Sequence, residues 1–257
     1  MGQSNGRADC ALATQHKSGM RCARCLKGRN HHIRWANLRF LVSTTEINEA
    51  AATMAIASDL VQITPSLFTW QAYDRAVKAD LFSSAIVTTR GIFLVDPIPL
   101  EKEALDDLAG PGGVAGIVVT NGNHLRATAD YSAKFSRPVF AAPAAFSDTS
   151  LVFRHVADGD NIGDELRVIE IEGAATGEIA LYHEAADGTL IVGDTLINFE
   201  PYGFTFLPRK YCSNEKEMHR SLRKLLACKA ERMFFAHGPP ILSRASERLR
   251  GLLESGL

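Results

Sequence analysis

The chain has 257 residues, of which 46% are apolar and 22% are charged, and its formal net charge is −1. This balance is typical of a soluble globular protein and gives no sign of a nucleic-acid surface or a polybasic membrane anchor. The longest apolar runs, such as GIVVT and TLIVG, are the length of a strand and fall far short of the ~20 residues that a membrane-spanning helix needs.

The cysteines and the beginning of the chain suggest a compartment. Cysteine occurs five times, an odd number, and the spacing is not that of a disulfide framework. The start MGQSNGRADC has no apolar stretch of the kind that a secretory signal requires. We therefore expect a cytoplasmic protein.

Residues 1–50 differ in composition from the rest and are predicted to form a poorly structured extension. Within them, CARCLKGRNHH places Cys22 and Cys25 ahead of His31 and His32. Two thiolates at this spacing can clasp one zinc ion, but the histidines follow too closely for a zinc finger. We expect the folded domain to occupy residues 55–257.

The first half of this domain is predicted to be rich in strands. LVQITPSLFTW and SSAIVTTRGIFLVDP are read as strands, the second forming a hairpin that turns at Arg90-Gly91. LEKEALDDLAG spaces its apolar residues along one helical face and ends in glycine. GIVVT is a continuous apolar strand, as expected when both of its faces are covered. A helix over 124–135 and the short strand VFAA follow.

The second half is mostly strand and closes with helices. ELRVIEI, EIALYH and TLIVGD are predicted strands, with a tight turn at Asp187-Gly188. A helix is expected over 214–230, where Asn214 and Glu217 form a capping box. RMFFAHG is a last strand, and a closing helix follows from Ser243. This order of elements suits two sheets packed together with helices outside.

Three predicted strands end in a polar residue followed by a turn, at Thr120-Asn121, Gly193-Asp194 and His237-Gly238. Strand ends that converge at one edge of a sandwich are natural places for a site. Aspartate and histidine both bind metals, so Asp194 and His237 indicate a candidate site at this edge.

With this pattern the sequence resembles the metallo-β-lactamase superfamily over about residues 59–242. In that family a strand like GIVVT ends in Thr-His-x-His-x-Asp-His, a later PGHTPGS adds a histidine, GD supplies a bridging aspartate, and a late strand ends in His-Gly. Here LVDP at 94–97 resembles the early aspartate strand, EGAATGEIALYHEAADGTLIVGDTLI resembles the stretch from PGHTPGS through GD, and FFAHG resembles the last ligand strand. The resemblance implies an α/β (α+β) fold, a four-layer αββα sandwich of metallo-β-lactamase type.

Most of the metal ligands of that family are replaced in this chain. Asn121 and Asn123 stand where the first two histidines belong, Leu125 replaces the aspartate, Arg126 replaces the third histidine, and Ala174 falls at the PGHTPGS histidine. Asp194 and His237 match. The resemblance therefore implies a degenerate site without the usual pair of metal ions.

Two arrangements of this site remain open. In one, His124, Asp194 and His237 hold a single zinc or iron ion, because catalytic zinc usually has three protein ligands and a water. In the other, no cofactor is bound and the Arg126 fork pairs with Asp194. Electrostatics favours the second, because a permanent cation at about 5 Å repels a divalent ion by several kcal/mol at an intermediate dielectric.

Two functions follow from these arrangements. The first is a divergent hydrolase acting on a small ester, thioester, lactone or amide, in which His124 or His237 activates water, Asp194 orients it and Arg126 stabilises the oxyanion. The alternative is a catalytically silent member that serves as a small-ligand binding or interaction module.

Candidate substrate-binding residues lie on two segments. FEPYGFTFLPRKYC at 199–212 is expected beside the cleft and contains Tyr202, Phe204 and Arg209; the alternative for this segment is a packed loop core. Asn121 and Asn123 are further candidates, and their alternative role is to satisfy the turn backbone after the strand. The expected partner is a small-molecule ligand or substrate, with no nucleic acid or membrane.

Overall fold

The computed structural model of the protein describes residues 54–147, 149–185 and 187–255. The predicted extension over residues 1–50, with Cys22, Cys25, His31 and His32, lies outside the described residues. Within those ranges, none of the helices combines the length and apolar character that crossing a bilayer requires.

The first sheet contains seven strands whose order in space follows the chain. Its strands are β1 (Leu60–Thr64), β2 (Leu67–Asp74), β3 (Ala79–Thr88), β4 (Gly91–Val95), β5 (Val114–Val118), β6 (Val139–Ala141) and β7 (Phe153–His155). Strands β1 to β4 pair antiparallel, whereas β4 to β7 pair parallel. The parallel half brings the carboxyl ends of β4 and β5 to the same edge.

The second sheet contains five strands in the order β14-β11-β10-β9-β8. Its strands in chain order are β8 (Asn161–Ile162), β9 (Leu166–Glu170), β10 (Ile179–His183), β11 (Thr189–Val192) and β14 (Arg232–Phe235). Strand β11 pairs parallel with β14, so these two strands also end at one edge. Between them in sequence, β12 (Leu196–Phe199) and β13 (Gly203–Phe206) form a separate antiparallel pair.

Four α-helices are present in the described part of the chain: α1 (Lys102–Ala109), α2 (Thr128–Phe135), α3 (Glu215–Leu222) and α4 (Ala245–Ser255). Short 3-10 turns occur at Pro143–Ala145, Arg209–Tyr211 and Arg223–Ala227. The predicted cap of α3 is present, because the Asn214 side chain accepts a hydrogen bond from Glu217 N at 3.3 Å.

Side chains that alternate along the strands build three apolar layers. In β4, Phe93 and Val95 face the core between the sheets, while Ile92 and Leu94 pack with α1 and α2. In β14, Phe234 joins the core between the sheets, and its neighbours on either side pack with α3 and α4. A strand with both faces buried in this way has one sheet on one side and helices on the other. The predicted αββα sandwich is confirmed.

Three elements differ from the sequence prediction. The helix expected from residue 124 begins at Thr128, because Arg126 has a left-handed φ of 42° that a helix does not accept. The helix expected over 214–230 ends at Leu222 and continues as a 3-10 turn. The segment 199–212, read as a loop, contributes the end of β12 and all of β13.

Candidate functional site

The four segments that follow β4, β5, β11 and β14 meet at one edge of the sandwich. Phe82 N in β3 donates to Ala236 O after β14 at 2.9 Å, and Ile179 N in β10 donates to Thr120 O after β5 at 2.8 Å. These main-chain bonds join the two sheets beside the site. At Gly193, an added Cβ would lie 2.5 Å from Thr120 Oγ1, so a side chain there would push the two sheets apart at this edge.

His124 lies between two aspartates. Its Nδ1 is 2.9 Å from Asp96 Oδ2, and its Nε2 is 3.1 Å from Asp194 Oδ1. Asp96 is fixed in turn by Thr120, whose N and Oγ1 donate to its two carboxylate oxygens at 2.8 and 2.5 Å. The side chains of His124 and Asp96 are each 3% exposed. The ring of His124 is therefore held by a buried carboxylate on each side.

His237 approaches the same oxygen of Asp194 from the other side. Its Nε2 lies 3.2 Å from Asp194 Oδ1, and its ring centroid is 5.7 Å from that of His124. The side chain of His237 is 19% exposed, which makes it the most accessible of the three. The remaining oxygen of Asp194 accepts a hydrogen bond from Asn123 Nδ2 at 3.2 Å.

The charges at this site shift the pKa values of its members in opposite directions. Burial disfavours the imidazolium form of His124, but Asp194 and Asp96 outweigh this and raise its pKa to about 9. Burial likewise opposes the ionisation of Asp194, yet His124 and His237 hold its pKa well below the usual range. Burial lowers the pKa of His237. At neutral pH the site therefore contains an imidazolium at His124, ionised Asp194 and a neutral His237.

Arg126 differs from its predicted arrangement. The sequence interpretation paired its guanidinium with Asp194, but its nitrogens donate to the carbonyl oxygens of Phe82, Asp96 and Ala236 at 2.6, 2.9 and 3.3 Å. The left-handed turn at Arg126 directs its side chain toward β3 and the end of β14. The cation that faces Asp194 is His124.

Asn121 and Asn123 lie at the site and have separate tasks. Asn121 Oδ1 accepts from Asn123 N at 2.8 Å, so the turn backbone is satisfied as the structural alternative proposed. Asn121 Nδ2 donates to Glu178 Oε2 at 2.7 Å. Of these two asparagines, Asn123 is the one whose side chain donates a hydrogen bond to Asp194. A role in substrate binding remains a prediction for both.

Two buried acids at the site were absent from the predicted residue set. Asp96 belongs to the LVDP segment, whose resemblance to the early aspartate strand of the family was the available signal. Glu178 lies in GEIALYH, where no motif marks an acid as functional. Glu178 is 2% exposed, and burial together with the charge of Asp194 raises its pKa to about 8.

The remaining candidates lie in other surroundings. The ring of Phe204 packs against Phe235 with centroids 5.7 Å apart, beside the core between the second sheet and its helices. Arg209 forms an exposed ion pair with Glu215 at 3.7 Å, and Tyr202 contacts Phe199 edge-on. The substrate-wall role of these side chains remains a prediction. Ala174, at the position of a family histidine, is buried in the same core as Phe235.

Comparison with known proteins decides the family. A sequence model of the metallo-beta-lactamase superfamily matches residues 61–256. The chain belongs to the metallo-β-lactamase superfamily. A search of curated proteins finds no match.

Solved structures of other superfamily members show the same fold at low identity. The crystal structure of the DIM-1 metallo-β-lactamase matches with a TM-score of 0.61 and 13% identity, covering 79% of this chain and 100% of that one. A metallo-β-lactamase from Erythrobacter litoralis gives 0.59 and 15%, covering 76% and 96%. A metallo-β-lactamase family protein from Thermus thermophilus gives 0.55 and 18%, covering 76% and 79%. These matches extend to the fold alone.

Members of this superfamily typically bind zinc or iron, and the donor set of this site is compatible with one such ion. One ligand atom each from His124, Asp194 and His237 lies within 4.8 Å of the others. Asp96 contacts the far nitrogen of His124, the arrangement by which proteins orient a metal-binding imidazole. The guanidinium of Arg126 is bonded to carbonyl oxygens and not to Asp194. The electrostatic argument against a metal ion is therefore weaker than it was with Arg126 paired to Asp194.

Proposed function

We propose that this superfamily member is a hydrolase that holds one zinc or iron ion with His124, Asp194 and His237 and acts on a small ester, thioester, lactone or amide. The observation that carries the proposal is the convergence of the three ligand atoms within 4.8 Å. Two imidazoles and a carboxylate suit both zinc and non-haem iron. Such an ion supplies Lewis acidity to a substrate carbonyl and to an attacking water.

The protonation states of Asp96, His124 and His237 support the proposal. Ionised Asp96 accepts from Nδ1 of His124, so Nε2 is the nitrogen presented to the ligand set. His237 is neutral at pH 7 because burial lowers its pKa, and the neutral ring is the form that binds a metal. Binding of the ion would release the Nε2 proton of His124, because a histidine nitrogen must lose its proton before it can bind a metal.

We expect the substrate to reach the site from the side of His237, the most exposed of the three ligands. Its side chain is 19% exposed, compared with 11% for Asp194 and 3% for His124. Asn123 borders the same carboxylate, and we assign its amide to contact with the substrate. Arg126 takes no part in oxyanion stabilisation here, because its hydrogen bonds go to main-chain carbonyls.

One observation favours the alternative of a catalytically silent binding module. Both oxygens of Asp194 and both ring nitrogens of His124 already have protein partners. A network satisfied in this way is stable without a metal. The two proposals differ in whether metal content depends on His237.

The test of the hydrolase proposal is metal analysis of full-length protein after dialysis against zinc or iron(II). We expect His237→Ala to bind one ion fewer per chain than the wild type, and His183→Ala to match the wild type. His183 is the control because it also lies beside a carboxylate, Glu165, at the other end of the sheets. Since Cys22 and Cys25 are separate candidate zinc ligands, the decisive quantity is the difference between chains. Equal metal content in His237→Ala and wild type would overturn the proposal.

Activity provides the second measurement. We expect the metal-loaded wild type and His183→Ala to hydrolyse a panel of small nitrophenyl esters, thioesters and lactones, and His237→Ala to leave it unchanged. Wild-type protein that binds the ion through His237 yet hydrolyses none of the panel would support the binding module instead.

A further inference from the structure

Glu178 occupies the junction between the two segments that carry the site. Its Oε1 accepts hydrogen bonds from Thr195 N at 3.0 Å and Thr195 Oγ1 at 2.6 Å. Its Oε2 accepts from Asn121 Nδ2 at 2.7 Å. Thr195 follows Asp194 directly in the chain after β11, and Asn121 lies in the loop after β5. One buried carboxylate therefore ties a segment of the first sheet to a segment of the second.

These contacts form a closed ring of hydrogen bonds and peptide bonds that includes Asp194. From Glu178 the ring runs through Asn121 to Asn123, whose amide donates to Asp194 Oδ2. It returns along the peptide from Asp194 to Thr195 and back to Glu178. The ring thus holds Asp194 from its side chain and from its backbone. In the ionised form of Glu178, whose pKa burial raises to about 8, every donor in the ring is matched to an acceptor.

We propose that Glu178 is a positioning residue that fixes Asp194 between His124 and His237 by closing this ring. The inference rests on the proposed function, because the position of Asp194 matters most if that residue binds an ion. It assigns no contact between Glu178 and the ion or the substrate. Residues that orient a metal ligand in this way affect affinity by about 10- to 100-fold when they are changed.

The polarity of the ring makes a specific test possible. In Glu178→Gln the side chain keeps its shape, but its amide nitrogen meets either the donor of Asn121 or the donors of Thr195. Turning Asn121 over does not relieve this, because its own amide nitrogen would then face Asn123 N–H. Adding Asn121→Asp supplies an acceptor at that position and restores the match, and the new carboxylate takes the place of the ionised Glu178 side chain.

The first measurement is the affinity for Co²⁺ of the full-length protein, followed by its visible absorption. We expect Glu178→Gln to weaken binding by about 10- to 100-fold, and the double variant with Asn121→Asp to return to within about twofold of the wild type. The control is Glu165→Gln, since Glu165 Oε1 also accepts from the N and Oγ1 of a threonine, Thr89, but at the opposite edge. It should bind Co²⁺ as the wild type does.

A second measurement separates this proposal from the proposed function. In chelator-treated protein, the ring nitrogen NMR signals of His124 and His237 report their contacts with Asp194. We expect these signals to shift in Glu178→Gln and to return in the double variant. If wild-type protein binds no Co²⁺, the proposed function fails, and these signals alone decide the role of Glu178.

Two results would overturn the positioning role. One is wild-type affinity and unshifted histidine signals in Glu178→Gln. The other is a double variant that remains as impaired as Glu178→Gln, because the ring requires matched polarity rather than a particular acid. If Glu178→Gln does not fold, the double variant still tests the proposal, since it should fold and bind.

Discussion

The two ends of the sandwich contain the same kinds of side chain in different surroundings. At the site, His124 lies between Asp96 and Asp194, and its side chain is 3% exposed. At the opposite end, His183 Nε2 lies 3.3 Å from Glu165, whose side chain is 26% exposed. A histidine beside a carboxylate is therefore not by itself the mark of the site. The two ends differ in the number of charged side chains that are buried next to one another.

Two glutamates make the same contrast. Glu178 and Glu165 each accept hydrogen bonds from the N and Oγ1 of a threonine. The hydrogen bonds from Thr89 lower the pKa of Glu165, whereas burial raises the pKa of Glu178 to about 8. The same contacts thus accompany opposite shifts, because at Glu178 the loss of solvent outweighs the hydrogen bonds. Burial therefore decides the direction in which the pKa of each glutamate shifts.

Removing one acid from each end tests this contrast most strongly. Asp194→Ala leaves the Nε2 atoms of His124 and His237 without their buried carboxylate, although Asp96 still faces Nδ1 of His124. We expect a loss of about 3 kcal/mol in the free energy of unfolding, near the low end for removing one partner of a buried pair. Glu165→Ala removes a partly exposed acid, and we expect a loss of about 1 kcal/mol or less. Urea denaturation of chelator-treated protein at pH 7 gives both numbers. Equal losses would show that burial does not separate the two ends.

The pH dependence of stability sharpens the contrast next. His124 has a folded pKa of about 9 against about 6.5 in the unfolded chain. A raised histidine pKa contributes stability that is fully present below about pH 6.5 and is lost as the pH rises through 9. At 1.36 kcal/mol for each pKa unit, this contribution is about 3 kcal/mol.

The measurement is the free energy of unfolding of chelator-treated protein from pH 6 to 10. Because other groups titrate in this range, Glu178 among them, the informative curve is the wild type minus His124→Gln. We expect this difference to fall between pH 6.5 and 9 and to be flat above that. A difference that stays flat from pH 6 to 10 would contradict the stabilisation of the His124 imidazolium by its two buried aspartates.

The sequence was sufficient to predict the layers of the fold. Apolar residues at a period of two, glycine at turns and the Asn214 cap are local signals, and each marks its own element. The same local signals misplace the start of α2, because the left-handed backbone at Arg126 interrupts a pattern that otherwise continues from residue 124. The pair β12 and β13 was missed; its residues Leu196, Phe204 and Phe206 pack against the core between the second sheet and its helices.

The site was predictable only where a strand end marked it. Asp194 and His237 end strands in recognisable motifs, and His124 lies one residue from a family ligand position. The partner of Arg126 was not predictable, because the direction of its side chain depends on the backbone of one residue and on carbonyls 30 to 110 positions away. Glu178 was missed for a similar reason, since its partners lie 17 and 57 positions away.

Arg126 links the site to the strands beneath it, and its replacement is expected to have an intermediate effect. Arg126→Ala removes three charge-assisted hydrogen bonds to carbonyls. Asp96 O and Ala236 O retain other donors, Ser83 Oγ and Phe82 N. We therefore expect a loss of about 2 kcal/mol, near the value for one such bond rather than three.

Arg126→Lys separates charge from geometry in the same denaturation experiment. An ammonium group cannot match a fork that reaches three carbonyls, so we expect Lys to recover about half of the loss. Full recovery by Lys would mean that only the positive charge near Asp96 and Asp194 matters. The carbonyl contacts would then contribute nothing to the stability of this edge.

The smallest effect is expected at the surface of the opposite end. Arg90 Nη2 lies 2.6 Å from Asp164 Oδ2, a closer approach than any charged pair at the site, but the two side chains are 67% and 69% exposed. Water screens such a pair, and holding two long side chains together costs conformational entropy. Arg90→Ala should therefore change the free energy of unfolding by about 0.5 kcal/mol or less, and less still in 1 M salt. A loss comparable with that of Asp194→Ala would mean that distance, and not burial, sets the strength of ion pairs in this protein.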